Sequence, residues 1–328
     1  MTDIRMTTRQ PSSPVSPTPQ SVQWLTIDPD MAGQRLDNFL LARLKGVPKS
    51  RIYRAVRGGE VRVNKARSSA SYRLAAGDVV RVPPVRQSPA VAELWLPDHL
   101  RHNLEQGVLY EDETLLILNK PAGVAVHGGS GQQCAVIEGL RLLRPEARFL
   151  ELAHRLDRDT SGCLLIAKKR SMLRLLHDAF RGDGMTKTYL ALLTGAWSKQ
   201  HALVNQPLLK RAGQEGARMV VVNAAGKPAQ TRFQRLACSE QLTLVKAMPK
   251  TGRTHQIRVH AAWLGHPIAG DPRYGNFERN RALVQHGITG LQLHAWQLRF
   301  VHPKSGEPLS VSAPMPAFLD DFYQTYHA

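Results

Sequence analysis

Cysteine is scarce: Cys134, Cys163 and Cys238 are the only three in 328 residues, widely spaced and without a CxxC pair. That argues against a disulfide framework or a thiolate zinc site, and leaves the thiols as small core residues in a reducing compartment. Acidic residues are also short, 26 Asp plus Glu against 44 Lys plus Arg, a net charge of +18. Such an imbalance favours a polyanionic partner, nucleic acid before any other. Long apolar runs are missing as well. No stretch approaches the ~18 residues of a spanning helix, and neither a basic amphipathic anchor nor a secretory h-region is present. The expectation is a cytoplasmic protein without membrane contact. HExxH, GxSxG and GxxxxGK[ST] are all absent, so the commonest zinc-protease, esterase and P-loop readings lack their motifs.

What is present divides the chain unevenly. Residues 1–20 are rich in Pro, Ser, Thr and Gln, too polar to offset their ordering entropy, and are expected to form a disordered tail. Residues 21–86 form a compact basic unit. Leu36, Phe39, Leu40 and Leu44 recur at helical spacing, Gly46 and Pro48 break the pattern, and a second helix from Ser50 to Arg57 ends at Gly58-Gly59. Arg51, Arg54 and Arg57 lie three apart on one stripe of that helix, while Ile52 and Val56 face inward. Between residues 35 and 86 there are 13 Lys or Arg and 3 Asp or Glu, a net of +10 in a sixth of the chain. This concentration marks Lys49, Arg51, Arg54 and Arg62 as candidate phosphate contacts.

Residues 87–105, with Pro89 and Pro97, read as a linker, and 106–328 as the larger unit. There, segments such as 115–118, 187–193, 231–236, 242–248, 291–300 and 309–311 carry strand patterns, and 136–143, 173–180 and the stretch opening at Thr251 carry helical ones, the last placing His255 and Arg258 on a shared face. Many connections are too short for βαβ crossovers. The fold class expected is therefore α+β, with a largely antiparallel sheet carrying helices.

The densest chemistry lies in His154-Arg155-Leu156-Asp157-Arg158-Asp159-Thr160-Ser161-Gly162, between the apolar runs 149–153 and 163–167. Two buried strands would hold this segment as a loop, and loops on rigid sheets are where chemistry is usually placed. An Asp flanked by arginines stays ionised and can serve as nucleophile or base, yet spacing alone does not choose between Asp157 and Asp159. A charged turn capped by its own side chains fits the composition equally well. His255 and His260 are five apart, which does not put both on one helical face for a metal. His127-Gly128-Gly129-Ser130-Gly131 reads as a glycine-rich turn rather than a phosphate cradle.

The nonapeptide resembles the catalytic-loop signature of the RluA-type RNA pseudouridine synthases. Four further stretches resemble that family's motifs in its order: Asn119-Lys120-Pro121, Lys187-Thr188-Tyr189-Leu190-Ala191, Gly226-Lys227-Pro228-Ala229-Gln230-Thr231, and the decapeptide from Thr251 to His260. Residues 49–64 resemble the S4 RNA-binding domain. The resemblance implies a pseudouridine synthase fold behind an S4 module, and the isomerisation of uridine with no cofactor and no metal. It selects Asp157, which follows Arg-Leu, as the catalytic carboxylate, Arg258 as its ion-pair partner and Tyr189 as the ring that stacks on the base. It implies that Arg155 enters the RNA stack, and it makes His154, Arg253, His255 and Ile257 substrate-binding candidates. Its members acting on 23S ribosomal RNA look most similar, so the partner expected is 23S rRNA, met by a monomer. Rival readings are a non-catalytic ribosome-assembly protein, a synthase acting on another RNA, and a hydrolase built on Ser130 or Ser161 with a histidine.

Overall fold

The computed structural model describes residues 21–44, 47–84, 95–128, 134–212 and 218–327. The tail expected over 1–20, the break at Gly46, the first part of the expected linker, and Gly129, Ser130 and Gly131 of the glycine-rich turn lie outside the described residues. The chain divides between Glu93 and Leu94 into two compact units.

In the first unit, β1 (Gln23–Thr26) is followed by helices α1 (Leu36–Arg43) and α2 (Lys49–Arg57) and strands β2 (Arg62–Val63) and β3 (Val79–Val82). The strands form an antiparallel sheet in the order β1-β3-β2. Leu36 and Leu40 of α1, Ile52 and Val56 of α2, and Val63, Val80 and Val82 of the sheet share one core. The arginine stripe is on the outer face of α2, as its spacing predicts. Arg51 is engaged: Nη1 and Nη2 donate to the Glu60 carboxylate at 3.0 and 2.7 Å, pinning α2 to the turn behind it.

The second unit opens with α3 (Asp98–Gln106), which overlaps the segment expected to be a linker. Leu96, Leu100 and Leu104 are buried against Leu116, Leu118 and Ile137, so this stretch belongs to a core. The 96, 100, 104 pattern is helical, but Pro89 and Pro97 ahead of α3 obscured it. Then follow β4 (Val108–Glu111), β5 (Leu115–Lys120), α4 (Val136–Leu143), β6 (Glu151–Leu152), β7 (Ser161–Ala167), α5 (Arg170–Arg181), β8 (Met185–Thr194) and β9 (His201–Asn205). A ribbon of β10 (Leu208–Ala212) and β11 (Arg218–Val222) precedes β12 (Gln230–Cys238), β13 (Leu242–Pro249), α6 (Gln256–Trp263) and α7 (Phe277–Val284). Last come β14 (Leu293–Val301), β15 (Pro308–Ser312) and α8 (Ala317–Tyr326).

Ten of these strands make one mixed, mostly antiparallel sheet in the order β4-β5-β7-β14-β8-β13-β12-β9, with β15 on β14 and β6 on β7. The α+β fold is the one the strand count implied. Its most consequential feature is the edge of β7 that faces β14. There β6 pairs with residues 166 and 167, whereas β14 pairs in parallel with Ser161 and Gly162. The loop 153–160 leaves the sheet where those two partners part. Gly162 makes the parallel contact possible: its φ is +100°, and a Cβ there would lie 2.2 Å from the Ala295 carbonyl oxygen. On the neighbouring strands, α6 buries Ile257 and Ala261 against Ala191, Phe233, Val245 and Leu293. Loop 153–160, β8 and α6 therefore meet on one side of the sheet.

Candidate active site

The loop between β6 and β7 is held from within. Thr160 is buried and donates its backbone N–H to the Asp157 carbonyl at 3.2 Å, closing a turn around Arg158 and Asp159. Ser161 Oγ lies 2.8 Å from His294 Nδ1 on β14. Lys120, fully buried at the end of β5, donates Nζ to the carbonyls of Pro121, Val124 and Arg158 at 2.7, 2.7 and 2.9 Å. Burial pushes this ammonium down to about 7, against the opposing pull of Asp159 and Asp157. A buried cation with three carbonyl acceptors is a clamp on two loops at once.

Asp157 stands at the turn's start and is about a third exposed at its side chain. Its Oδ2 accepts from Arg258 Nη1 at 3.0 Å. Arg258 rises from α6 almost wholly buried, and it meets a second carboxylate that sequence reasoning missed. Nε and Nη2 donate to the two oxygens of Asp271, both at 2.8 Å, and Asp271 has no exposure at all. Burial alone would lower the Arg258 pKa, but Asp271 and Asp157 outweigh it and raise it. Burial would likewise raise Asp271, yet Arg258 and the backbone N–H groups of Arg273 and Tyr274 hold it below the usual carboxylate range. One guanidinium thus bridges a sealed carboxylate and an accessible one. Gly270-Asp271-Pro272, a carboxylate between two chain-turning residues just after the apolar Ile268-Ala269, is the trace it leaves in the sequence.

A cavity of about 120 Å³ opens beside Asp157, lined among others by Arg155, Lys187, Tyr189, Arg253, Ile257 and Arg258. A second, of about 390 Å³, shares Arg155, Asp157, His255 and Arg258 and extends towards His127. Asp157 therefore sits between two hollows. The Tyr189 hydroxyl is raised by burial, then by Asp157 and Cys163, so the ring remains a neutral phenol. Burial also lowers Lys187 beside it. Arg155 is exposed at the rim. Arg253 is exposed too, and anchors Nε on the Pro228 carbonyl at 3.0 Å.

The helical pattern expected from Thr251 begins only at Gln256. Residues 251–255 form a loop tied down by the buried Gln256 side chain, which accepts from Thr251 Oγ1 and Arg253 N and donates to Gln230 O and Thr231 Oγ1. His255 caps the helix with φ +53°, so it does not share a regular helical face with Arg258. Its Nε2 nevertheless lies 3.8 Å from Asp157 Oδ2. His154 stands apart from the cleft: Nε2 accepts the Leu165 backbone N–H at 3.0 Å and the ring packs on Phe180. His260, weighed earlier for a metal, binds Thr231 Oγ1 and the Gln206 carbonyl instead. In the first unit Lys49 and Arg54 are exposed, while Arg62 donates to the Gly59 and Lys65 carbonyls.

The Ser161–His294 contact has the distance of a nucleophile and its base. Among the described residues, however, no carboxylate pairs with His294, and burial pushes that imidazole down to about 4. A histidine so reluctant to take a proton is a poor general base. The hydrolase reading finds no support here.

A family model described as RNA pseudouridylate synthase matches residues 114–263, and one for the S4 domain matches residues 34–80. The chain is 56% identical over 297 residues to ribosomal large subunit pseudouridine synthase C of Pasteurella multocida, covering 90% of this chain and 91% of that protein. It belongs to the RNA pseudouridylate synthase family. The same-named protein of Escherichia coli K12 is 56% identical over 300 residues, covering 90% and 93%. Among solved structures, human RNA pseudouridylate synthase domain containing 4 superimposes with a TM-score of 0.57 at 27% identity, covering 70% of this chain and 97% of that one. The family match contains Asp157, Tyr189 and Arg258, and stops short of Asp271 and Tyr274. The candidate site, as its contacts run, therefore extends beyond the matched span.

Proposed function

We propose that the chain isomerises uridine to pseudouridine in large-subunit ribosomal RNA, with Asp157 as the reacting carboxylate. The observation that carries this reading is the near-full-length identity to two ribosomal large subunit pseudouridine synthases C, joined to an accessible carboxylate paired with a buried arginine. The reaction breaks the N1–C1′ bond, turns the uracil, and forms a C5–C1′ bond; the C5 hydrogen leaves to solvent and N1 regains a proton. Nothing is consumed, so the work falls on positioning and electrostatics.

Asp157 acts as nucleophile or as electrostatic partner of an electron-poor C1′, in the manner of a glycosidase carboxylate. Arg258 pairs with it and aims it. The target nucleotide has to leave its stack, at a cost of a few kcal/mol. Tyr189 packs on the extruded base, Arg155 fills the space it vacates, and Arg253, Lys49 and Arg54 meet phosphates. Three free thiols and a ribosomal substrate support a cytoplasmic protein, and it is expected to act as a monomer.

Tritium release from 23S rRNA labelled at uridine C5 tests the reading. Wild type should release tritium, and Asp157→Asn should bind the RNA equally well without releasing any. Tight binding without release by either protein would favour a ribosome-assembly role or another RNA, and release by both would remove Asp157 from the chemistry.

A further inference from the structure

His255 is the one residue other than glycine with positive φ among the described residues of the second unit, a conformation that costs about 1–3 kcal/mol and needs support from its surroundings. That support comes from Tyr274, a residue given no role so far. Its hydroxyl lies 2.7 Å from His255 Nδ1 and accepts the Val220 backbone N–H of β11 at 3.2 Å. The ring also stands edge-on to the imidazole and beneath the Arg258 guanidinium, 5.1 Å from its centre.

We propose that Tyr274, itself oriented by Val220, is a positioning residue that fixes the tautomer of His255, leaving Nε2 protonated and facing Asp157 as a neutral donor. The argument is a count of donors. Val220 N–H already donates to the phenol oxygen. Were His255 Nδ1 also protonated, the oxygen would receive two donors and, among the described residues, its own proton would have no acceptor. With the phenol donating to Nδ1, every group is satisfied, and the ring proton falls on Nε2. Burial pushes Tyr274 up, which keeps it a donor, and lowers His255 despite the pull of Asp157 and Asp271, which Arg258 and Arg273 oppose. The choice of tautomer has consequences for the reacting carboxylate. A lone pair at Nε2 would repel Asp157 Oδ2, and an imidazolium would add a second cation to a carboxylate that Arg258 already pairs. A neutral N–H steadies Oδ2 without neutralising it. Since Val220 belongs to the β10–β11 ribbon, the same hydroxyl also ties that ribbon to the cleft.

The inference rests on the proposed function for its kinetic consequence only, because the tautomer is read without RNA. Full-length protein carrying ring-¹⁵N histidine would be examined by NMR at pH 7.5, with His255→Gln used to assign the signal. The expected spectrum shows Nε2 protonated and Nδ1 bare. Tyr274→Phe, which keeps the ring and its contacts, should mix the tautomers and lower kcat for tritium release about tenfold, the worth of one hydrogen bond, with KM within twofold. A wild-type Nδ1–H tautomer or imidazolium overturns the proposal, as does a kcat for Tyr274→Phe within twofold of wild type. The wild-type spectrum decides the tautomer even if the variant fails to fold. Failure of wild type to release tritium would count against the proposed function instead.

Discussion

Asp271 grips Arg258 at two points, Oδ2 on Nε and Oδ1 on Nη2, both at 2.8 Å, where neither side chain is more than 6% exposed. The guanidinium is thereby locked in one plane, and its remaining nitrogen, Nη1, is left for Asp157. Bidentate pairing of this kind gives direction as well as charge, and a lysine could not reproduce it. Asp271 is sealed from the cleft, so any influence it has on Asp157 runs through Arg258.

Replacing Asp271 with Asn should therefore do two kinds of damage. The amide puts a donor where an acceptor is required and leaves a buried guanidinium half paired, a loss of about 3–5 kcal/mol in unfolding free energy. Protein that still folds should release tritium at least about a hundredfold more slowly, since about 2.7 kcal/mol or more of orientation is lost. Urea unfolding and the tritium assay read the two effects separately. Full activity in a folded Asp271→Asn protein would show that Arg258 does not need its second carboxylate.

Gly162→Ala tests the seam between β7 and β14. A methyl group 2.2 Å from the Ala295 carbonyl oxygen has no room, and φ +100° is strained for any residue with a Cβ. Both faults strike the parallel pairing from which loop 153–160 departs, so destabilisation by more than about 3 kcal/mol is expected. Thermal unfolding checks it. A melting point equal to wild type would mean that β14 can draw back from β7 at no cost.

How much of this was written in the sequence differs by element. The α2 stripe, with Ile52 and Val56 inward and Arg54 outward, was legible because one short amphipathic helix carries its own periodicity. Asp157, Tyr189 and Arg258 were legible only through family motifs, since spacing could not tell Asp157 from Asp159. Asp271 and Tyr274 escaped because their meaning depends on contacts 13 to 54 residues away, made only when α6 lies on the sheet. α3 was hidden by the prolines that precede it, and the loop at 251–255 by a helical pattern that tertiary bonds to Gln256 override. Local pattern reports faces; long-range pairing has no local signature.

Within the S4 unit, Arg51 and Arg54 should behave differently although they share a stripe. Arg51 is committed to Glu60, whereas Arg54 is exposed. Arg54→Ala should weaken RNA binding and reduce the slope of log K against log salt by roughly 0.7–0.9, the signature of one lost phosphate contact. Arg51→Ala should chiefly loosen the turn after α2, lowering the unit's melting point by a few degrees. Filter binding at several salt concentrations distinguishes them; an unchanged slope for Arg54→Ala would remove that residue from the phosphate track.

Stability should fall as the pH drops through the range where two desolvated histidines, His294 buried and His154 half-buried, are forced to stay neutral. His154 is held down to about 3 by burial first and Lys187 second, and His294 to about 4 by burial. In the unfolded chain both titrate near 6.5. Their folded values are depressed, so their contribution is complete above about pH 6.5 and is lost as pH falls towards 4 and then 3. From pH 7 to pH 5 the unfolded state takes up roughly one and a half protons that the folded state refuses, a loss of roughly 3–4 kcal/mol. His154→Gln isolates one of them: its amide oxygen can still accept from Leu165 N–H, and it does not titrate. Urea unfolding of the variant at pH 5, 6 and 7 should lose roughly 2 kcal/mol less across that interval than wild type does. Parallel curves for the two proteins would show that His154 takes up its proton in the folded state, and that its bond to Leu165 does not hold the imidazole neutral.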